Sequence, residues 1–236
     1  MIVELLGLPA VGKTTSLEYL RVNNVNFLNR DDLYSSFYRN FEALHGLHAK
    51  SNEKFSEFKN QIIFEYLYES YFFSGECNKV MTYIMHRHRN LFRQRISLLN
   101  KYAVTSYLTS ISHSNVILDE GMFQFALANI TAAECLGFSS EFNKFEYFSK
   151  FVNQDYTYIL LDESCVQSCI DRYNNREKGR IIVESSGGAD KFYNQLQNNI
   201  NFLKDNNLIQ SKYVINSPIE DRPNYLLKCI ASVGIN

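Results

Sequence analysis

The chain has 236 residues, with 24 Lys and Arg against 25 Asp and Glu, which gives a formal net charge of −1. A chain this close to neutral lacks the basic excess that a nucleic-acid polymer attracts, so we expect no such partner. Hydrophobic residues make up 45% of the sequence, enough for a substantial core. No stretch approaches the length of about 18 apolar residues that indicates a membrane span, so no membrane partner is expected either.

Glycine and proline are rare, with 10 and 3 residues respectively, and this scarcity of helix breakers predicts long helices. The five cysteines are an odd number and form no CxxC pair. They are therefore interpreted as reduced thiols of a cytoplasmic protein rather than as disulfides or metal ligands. With no linker or repeat in the sequence, we expect one domain over residues 1–236.

Five short apolar runs have the length of buried strands and alternate with helical patterns. This alternation predicts an α/β fold in which a five-stranded parallel sheet lies between two layers of helices. The five runs are Ile2–Leu6, Val25–Leu28, Val116–Leu118, Tyr156–Leu161 and Tyr213–Ile215.

The second and third runs are far apart, and the residues between them have hydrophobic side chains at helical spacing, for example Phe55, Phe58 and Ile62. We predict a large helical insert, about residues 31–113. The aromatic residues between Phe37 and Phe73 are interpreted as core rather than as a ligand cage.

The first run leads directly into a segment that fits the pattern G-x-x-x-x-G-K-[ST]. Glycines allow the backbone to fold around a phosphate, with successive N–H groups pointing inward at the positive end of the following helix. Lys13 would reach the β- and γ-phosphates, and the Thr14 hydroxyl would bind Mg²⁺. The segment comprises Gly7, Leu8, Pro9, Ala10, Val11, Gly12, Lys13, Thr14 and Thr15.

With this segment, the sequence resembles the P-loop kinases, particularly the branch of nucleoside and nucleotide kinases. The resemblance implies a P-loop NTPase fold, ATP and Mg²⁺ as cofactors, and a small-molecule acceptor. It also implies an acidic residue after the third strand run and an arginine-bearing lid over the phosphates. Both have candidates in this chain.

The run at Val116–Leu118 ends in two carboxylates, Asp119 and Glu120, at the edge of the sheet where ligands bind. Asp119 resembles the acid of the family, which binds the metal through water or accepts the proton of the acceptor. The family often has an arginine that contacts the acceptor at the next position, where this chain departs from the pattern with Glu120. Glu120 is retained as a substrate-binding candidate. The alternative for Asp119 is a cap of the next helix.

The lid candidate covers about residues 172–187 and contains Arg172, Arg176 and Arg180. Arg172 and Arg176 share a helix face, and their guanidinium groups suit a phosphoryl group in transfer. A solvated helix end is the alternative.

The segment Asn216–Asp221 follows the last strand run, where the family wraps a loop around the adenine.

Two further clusters are candidates for the acceptor side. Asp31 and Asp32 follow the second run and could orient and deprotonate an alcohol, or could cap the next helix. His86, Arg89 and Arg93 are spaced three and four apart and could bind a phosphate or carboxylate of the acceptor, or could form a solvated basic face.

The sequence thus predicts Mg-ATP-dependent phosphoryl transfer to a small molecule, with a nucleoside or nucleotide favoured over a sugar, antibiotic or other alcohol. A regulatory GTPase is disfavoured, because neither Asn-Lys pair, at Asn78 and Asn143, continues into the N-K-x-D motif. An ATPase acting on a macromolecule is also disfavoured, because it would normally use an arginine from a neighbouring subunit.

Overall fold

The computed structural model describes residues 1–36, 57, 60, 75–138, 142–163, 165–175, 179–210 and 213–235. Most of the predicted helical insert, including the aromatic residues between Phe37 and Phe73, lies outside the described residues. Arg176 of the predicted lid lies outside them as well.

The described part of the chain forms one parallel sheet of four strands. The strands follow the order β2-β1-β3-β4, and Ile2 pairs with both Val116 and Tyr156. Residues 3–7 of the central strand are all buried, which is typical of a parallel strand covered on both faces by helices. The strands are β1 Ile2–Gly7, β2 Val116–Leu118, β3 Tyr156–Asp162 and β4 Val214–Asn216.

The prediction of a fifth strand at Val25–Leu28 is wrong. Leu28 makes a single parallel bridge to Val116 at the outer edge of β2. A left-handed turn at Asn24, with φ 61°, and the helix that begins at residue 30 bound this segment, and Asn29 caps that helix. The Asn29 Oδ1 accepts a hydrogen bond of 2.9 Å from the N–H of Asp32, and Asp32 Oδ2 accepts one of 3.0 Å from the N–H of Asn29.

Helices connect and cover these strands. The most apolar of them, α5, contacts β1 and also packs against α3, α4 and α9, while α1 packs against α10. None of the described helices combines the length and apolar character needed to cross a bilayer. The helices are α1 Lys13–Val22, α2 residues 30–36, α3 Gly75–Arg87, α4 Arg89–Ser110, α5 Met122–Cys135, α6 Lys144–Ser149, α7 Val166–Asn174, α8 Ile181–Ser185, α9 Ala189–Asp205 and α10 Arg222–Ser232.

The strand order places the predicted phosphate loop at a change of direction in the topology. The chain continues from β1 to a neighbour on one side, β2, and only later returns to the other side as β3. In open parallel sheets, ligands bind outside the carboxyl ends of the strands at such a point. The loop that follows Gly7 is therefore expected to border a ligand crevice.

A buried carboxylate in β1, Glu4, fixes the start of α5, and nothing in the sequence analysis indicated it. Its side chain has no exposed surface and accepts hydrogen bonds from the N–H groups of Gly121 at 3.1 Å, Phe123 at 3.4 Å and Gln124 at 2.8 Å. A Cβ atom at Gly121 would lie 2.6 Å from the Glu4 carboxylate. Glycine at this position thus lets the positive end of α5 close on the carboxylate.

Glu4 should make the stability of the fold depend on pH. Burial raises the pKa of Glu4 from 4.5 to about 7, against the opposing effect of the N–H groups and Lys13. The folded chain therefore holds this proton more tightly than the unfolded chain. We expect the Glu4 contribution to the free energy of unfolding to fall by about 3 kcal/mol as the pH rises from 4.5 through 7, and then to level off.

The measurement is urea unfolding from pH 4.5 to 8 for the wild type, Glu4→Gln and the exposed control Glu18→Gln. Glutamine does not titrate, so the difference between the wild type and Glu4→Gln isolates this contribution. The Glu18→Gln profile should parallel the wild type. Parallel profiles for wild type and Glu4→Gln would show that the buried carboxyl does not have the raised pKa.

Candidate active site

The segment Gly7–Thr15 forms a loop between β1 and α1 whose backbone geometry explains its glycines. A Cβ atom at Gly7 would lie 2.5 Å from the carbonyl oxygen of Leu161, and Gly12 has a φ of 93°. Gly12 is the N-cap of α1, and no side chain caps the helix. The N–H groups of its first turn are thus available to an anion.

Lys13 lies almost fully buried beneath the loop. Its Nζ donates hydrogen bonds to the carbonyl oxygens of Gly7 at 3.1 Å and Leu8 at 3.3 Å. Burial lowers the pKa of Lys13 to about 8, with Glu120 and Asp119 acting in the opposite direction. In the described part of the chain no carboxylate lies within ion-pair distance of Lys13, so a bound phosphate would supply its counter-charge.

The loop forms one wall of a cavity of about 440 Å³, which we call the phosphate cavity. Four of the predicted charged residues meet across it, together with Lys13 and Thr14. These four residues are Asp119, Glu120, Arg172 and Arg180. The cavity thus combines exposed backbone amides with several cationic side chains, an arrangement that suits a polyphosphate.

A second cavity of about 350 Å³, the side cavity, adjoins the first. Its walls include the aromatic rings of Tyr102, Phe125 and Phe192 and the polar side chains of Gln94 and Arg95. The two cavities share Pro9, Glu120 and Arg180 in their walls. A flat, partly apolar molecule in the side cavity would therefore meet a phosphate group at Glu120 and Arg180.

Glu120 is held at this junction by two hydrogen bonds. Its Oε1 accepts from Arg180 Nη1 at 2.7 Å, and its Oε2 accepts from the Tyr102 hydroxyl at 3.0 Å. Burial opposes ionisation of Glu120, but Arg180 and Lys13 together outweigh it and hold its pKa at about 2. The carboxylate is therefore ionised at neutral pH.

Asp119 and Thr14 provide oxygen ligands in the phosphate cavity. Asp119 is half-buried directly after β2, and the Thr14 side chain is exposed at the start of α1. A carboxylate and a hydroxyl fit Mg²⁺, which prefers oxygen ligands and usually keeps few protein ligands beside waters and substrate phosphates. The described residues contain no group of three or more His, Cys, Asp or Glu that could hold a metal.

The α4 helix turns a different face to the site than the sequence analysis proposed. His86 before it and Arg89 and Arg93 within it are exposed and do not line either cavity. Arg95 is buried instead, where its Nη2 donates to the Phe125 carbonyl at 3.2 Å and its guanidinium lies 4.3 Å from the centre of the Phe125 ring. The sequence does contain a pattern that indicates this inward position of Arg95.

The apolar spacing of α4 places Arg95 on the inner face. Leu91, Leu99 and Tyr102 are buried and, with Arg95, recur at intervals of three and four. A charged residue in such a pattern faces the core or a site. The runs of adjacent charges around Arg89 were therefore the weaker guide to function.

Asp31 and Asp32 do not line either cavity. Asp32 pairs with Arg21 and takes part in the cap at Asn29, while the Asp31 side chain is 78% exposed. Their neighbour Arg30, which the sequence analysis did not select, lines the phosphate cavity. Burial opposes its charge, but Asp119 and Asp31 raise the pKa of Arg30 above its usual value.

The predicted lid residues divide between two tasks. Arg180 pairs with Glu120 at the junction, as described above. Arg172 borders the phosphate cavity, where its Nε donates to the carbonyl oxygen of Ala10 at 3.0 Å and its Nη2 to Glu163 Oε2 at 2.9 Å.

In the predicted adenine loop, Ile219 lines the phosphate cavity next to Gly12.

A phosphate loop between the central strand and its helix, with an acid after the neighbouring strand β2 and arginines opposite, defines the P-loop kinase class of fold. No family model matches the chain, and no curated protein is similar to it in sequence. The resemblance to P-loop kinases is nevertheless confirmed by solved structures.

The chain is similar to deoxyadenosine kinase from M. mycoides in two states. The structure with bound dATP has a TM-score of 0.52 and 13% identity, over 99% of this chain and 98% of the other. The structure with the products dCMP and a flexible dCDP has a TM-score of 0.50 and 15% identity, over 99% and 97% of the two chains. At such identities the likeness shows the fold alone, which this chain shares with that kinase over nearly its whole length.

Proposed function

We propose that the protein is a Mg-ATP-dependent kinase that transfers the γ-phosphoryl group to a hydroxyl of a nucleoside. The observation that carries this proposal is the junction of two cavities at Pro9, Glu120 and Arg180. One cavity has the amides and cations that bind a polyphosphate. The other has the size and ring-lined walls that suit a nucleobase and its sugar.

The donor would lie with its phosphates on the N–H groups of residues 10 and 12–15 and on Lys13. The magnesium ion would be held by the Thr14 hydroxyl and the Asp119 carboxylate, and when bound it would neutralise charge on the phosphate oxygens. Arg180 and Arg30 would add positive charge on the opposite wall. Catalysis in such a site consists mainly of positioning and charge stabilisation.

Glu120 would orient the acceptor hydroxyl. In the transfer, the hydroxyl oxygen forms a bond to the γ-phosphorus while the bond from that phosphorus to the bridging oxygen of ADP breaks. The hydroxyl proton leaves late in a loose transition state, so a carboxylate with a low pKa is sufficient to accept it. The ionised Glu120 lies at the position where the two substrates would meet.

The deoxyadenosine kinases support a nucleoside as acceptor because they share the fold over nearly the whole chain. The side cavity supports it independently. A sugar or other polyol would leave the apolar part of this wall, which includes Tyr102, Phe125 and Phe192, without an apolar partner, whereas a nucleobase can pack against it. Gln94 and Arg95 would then contact polar groups of the base.

The test is incubation of the protein with γ-labelled ATP, Mg²⁺ and a panel of nucleosides, nucleoside monophosphates, sugars and aminoglycosides. We expect the label in a nucleoside monophosphate. Label in a sugar phosphate or a phosphorylated antibiotic would replace the proposed acceptor class. Release of labelled inorganic phosphate, with no acceptor labelled, would contradict the proposed kinase.

A further inference from the structure

Two arginines outside the junction donate hydrogen bonds to backbone carbonyl oxygens of the phosphate loop, and a glutamate links the two arginines. Arg172 Nε donates to the carbonyl oxygen of Ala10 at 3.0 Å, and Arg222 Nη1 donates to that of Val11 at 2.9 Å. Glu163 joins the two arginines, because its Oε2 accepts from Arg172 Nη2 at 2.9 Å and from Arg222 Nη2 at 3.0 Å. We call Glu163, Arg172 and Arg222 the carbonyl clamp.

The clamp acts on two peptide groups of the phosphate loop. In the first, the N–H of Val11 donates to the Leu8 carbonyl at 3.3 Å, and in the second, the N–H belongs to Gly12. The C=O and N–H of a trans peptide point in opposite directions, and the described chain has no cis peptide. With its carbonyl held by Arg222, the peptide between Val11 and Gly12 turns its N–H away from Arg222. Gly12 borders the phosphate cavity and Arg222 does not, so this contact favours an N–H directed at the ligand.

The contact at Ala10 stabilises an unfavourable backbone conformation. Ala10 has a φ of 64°, in the left-handed region that residues other than glycine rarely adopt. The hydrogen bond from Arg172 reaches the carbonyl of that same residue. A loop that contains alanine at this position therefore depends on an external contact that glycine would not need.

The clamp is also rigid. Arg222 is 1% exposed, and its Nε donates to the Ser217 carbonyl at 2.9 Å, so all three guanidinium nitrogens make hydrogen bonds. Burial opposes the charge of Glu163, but the bonds from Arg172 and Arg222 hold its pKa below the usual value. A lysine could not reproduce the three directions of this fork.

We infer that Glu163 and Arg222 are positioning residues for phosphate binding, acting with Arg172 through the carbonyls of Ala10 and Val11. The inference rests on the proposed function to the extent that the loop binds the phosphates of ATP. It gives Arg172 a different role from the predicted one of neutralising the migrating phosphoryl group. It also links the loop to the ends of β3 and β4, which supply Glu163 and Ser217.

The test is calorimetric titration with Mg²⁺ and tripolyphosphate, a probe that needs no acceptor. We expect Glu163→Gln and Arg222→Lys each to weaken tripolyphosphate binding by about 10- to 100-fold, the loss that is typical when residues that orient metal ligands are changed. The double variant should be weakened little more than either single variant, because both changes disrupt one set of contacts.

A purely structural role predicts a different pattern. It would lower the unfolding midpoint of the variants but leave the affinity of the folded protein unchanged, and that result would overturn the inference. In kinase assays the clamp variants should raise the KM for ATP and keep much of kcat at saturating ATP. Arg172→Lys, at a side chain 32% exposed, gives the same test if Arg222→Lys does not fold.

Arg21→Lys is the matched control, because its ion pair with Asp32 is exposed; it should bind like the wild type. The experiments distinguish a failure of the proposed kinase from a failure of the clamp inference. Tripolyphosphate binding by the wild type without transfer to any acceptor would contradict the kinase and leave the clamp intact. Transfer by the wild type together with unchanged affinities in the clamp variants would overturn the clamp alone.

Discussion

Replacing Lys13 by methionine is expected to lower phosphoryl transfer by at least about 100-fold, because a preorganised charge at the reacting phosphates is lost. The side chain is 8% exposed, so water cannot replace it. Methionine fills nearly the same volume without the charge. The measurement is the initial rate of label transfer with ATP and the best acceptor of the panel.

The same variant should not lose stability in the absence of nucleotide. A buried ammonium group that lacks a carboxylate partner costs free energy to desolvate, and burial lowers its pKa to about 8. Relief of this cost offsets the two hydrogen bonds to the carbonyls of Gly7 and Leu8 that the variant loses. We therefore expect Lys13→Met to unfold at the wild-type temperature or above it. Addition of Mg-ATP should raise the unfolding temperature of the wild type but not that of the variant.

The exposed Lys150→Met is the matched control and should behave like the wild type in both measurements. Transfer by Lys13→Met at the wild-type rate would show that this lysine does not act on the phosphates. A large drop in the unfolding temperature would show instead that the lysine is structural. The two readouts therefore separate the role in catalysis from the role in folding.

Local patterns in the sequence predicted much of the fold. The phosphate loop is contiguous in the sequence, so its motif was a sufficient signal for its position between β1 and α1, although not for the distant side chains that hold its carbonyls. The strand runs at Ile2, Val116, Tyr156 and Tyr213 were each located to within one residue at either end. The run at Val25 failed because the asparagines on either side, in a turn and a cap, outweighed its apolar composition.

The partners of buried charges could not be predicted in the same way. Glu4 interrupts an apolar strand, and only the folded chain brings it to the first turn of α5, more than 100 positions further along the sequence. Arg222 likewise meets Val11 from the opposite end of the chain. Such pairs depend on the order of strands in the sheet, which apolar runs alone do not determine.

The acidic candidates also show that the sequence alone does not assign roles to similar side chains. Four candidate carboxylates followed strand runs, and sequence could not separate their tasks. In the structure, Asp32 caps a helix and pairs with Arg21, whereas Asp119 and Glu120 enter the phosphate cavity. The two acids after β2 are thus the ones that can act on ligands, and they differ because Glu120 alone is tied to both cavities.

Glu120→Gln is expected to lower kcat by about 100-fold or more, with a smaller change in the KM for the nucleoside. Glutamine keeps the shape of the side chain and can still accept the bond from Tyr102. It cannot accept a proton from the acceptor hydroxyl at neutral pH, and it leaves the positive charge of Arg180 unbalanced. The effect should therefore appear in the transfer step, measured by single-turnover quench-flow with labelled ATP.

A second carboxylate of similar geometry provides the control. Glu134 pairs with Lys144 at 2.7 Å, the same separation as Glu120 and Arg180, and is 16% exposed against 24% for Glu120. Glu134→Gln loses an equivalent ion pair away from both cavities, so its kcat should match the wild type. Equal losses in the two variants would mean that Glu120 supports the fold rather than the reaction, because both variants lose a partly buried ion pair but only Glu120 lies at the junction of the two cavities.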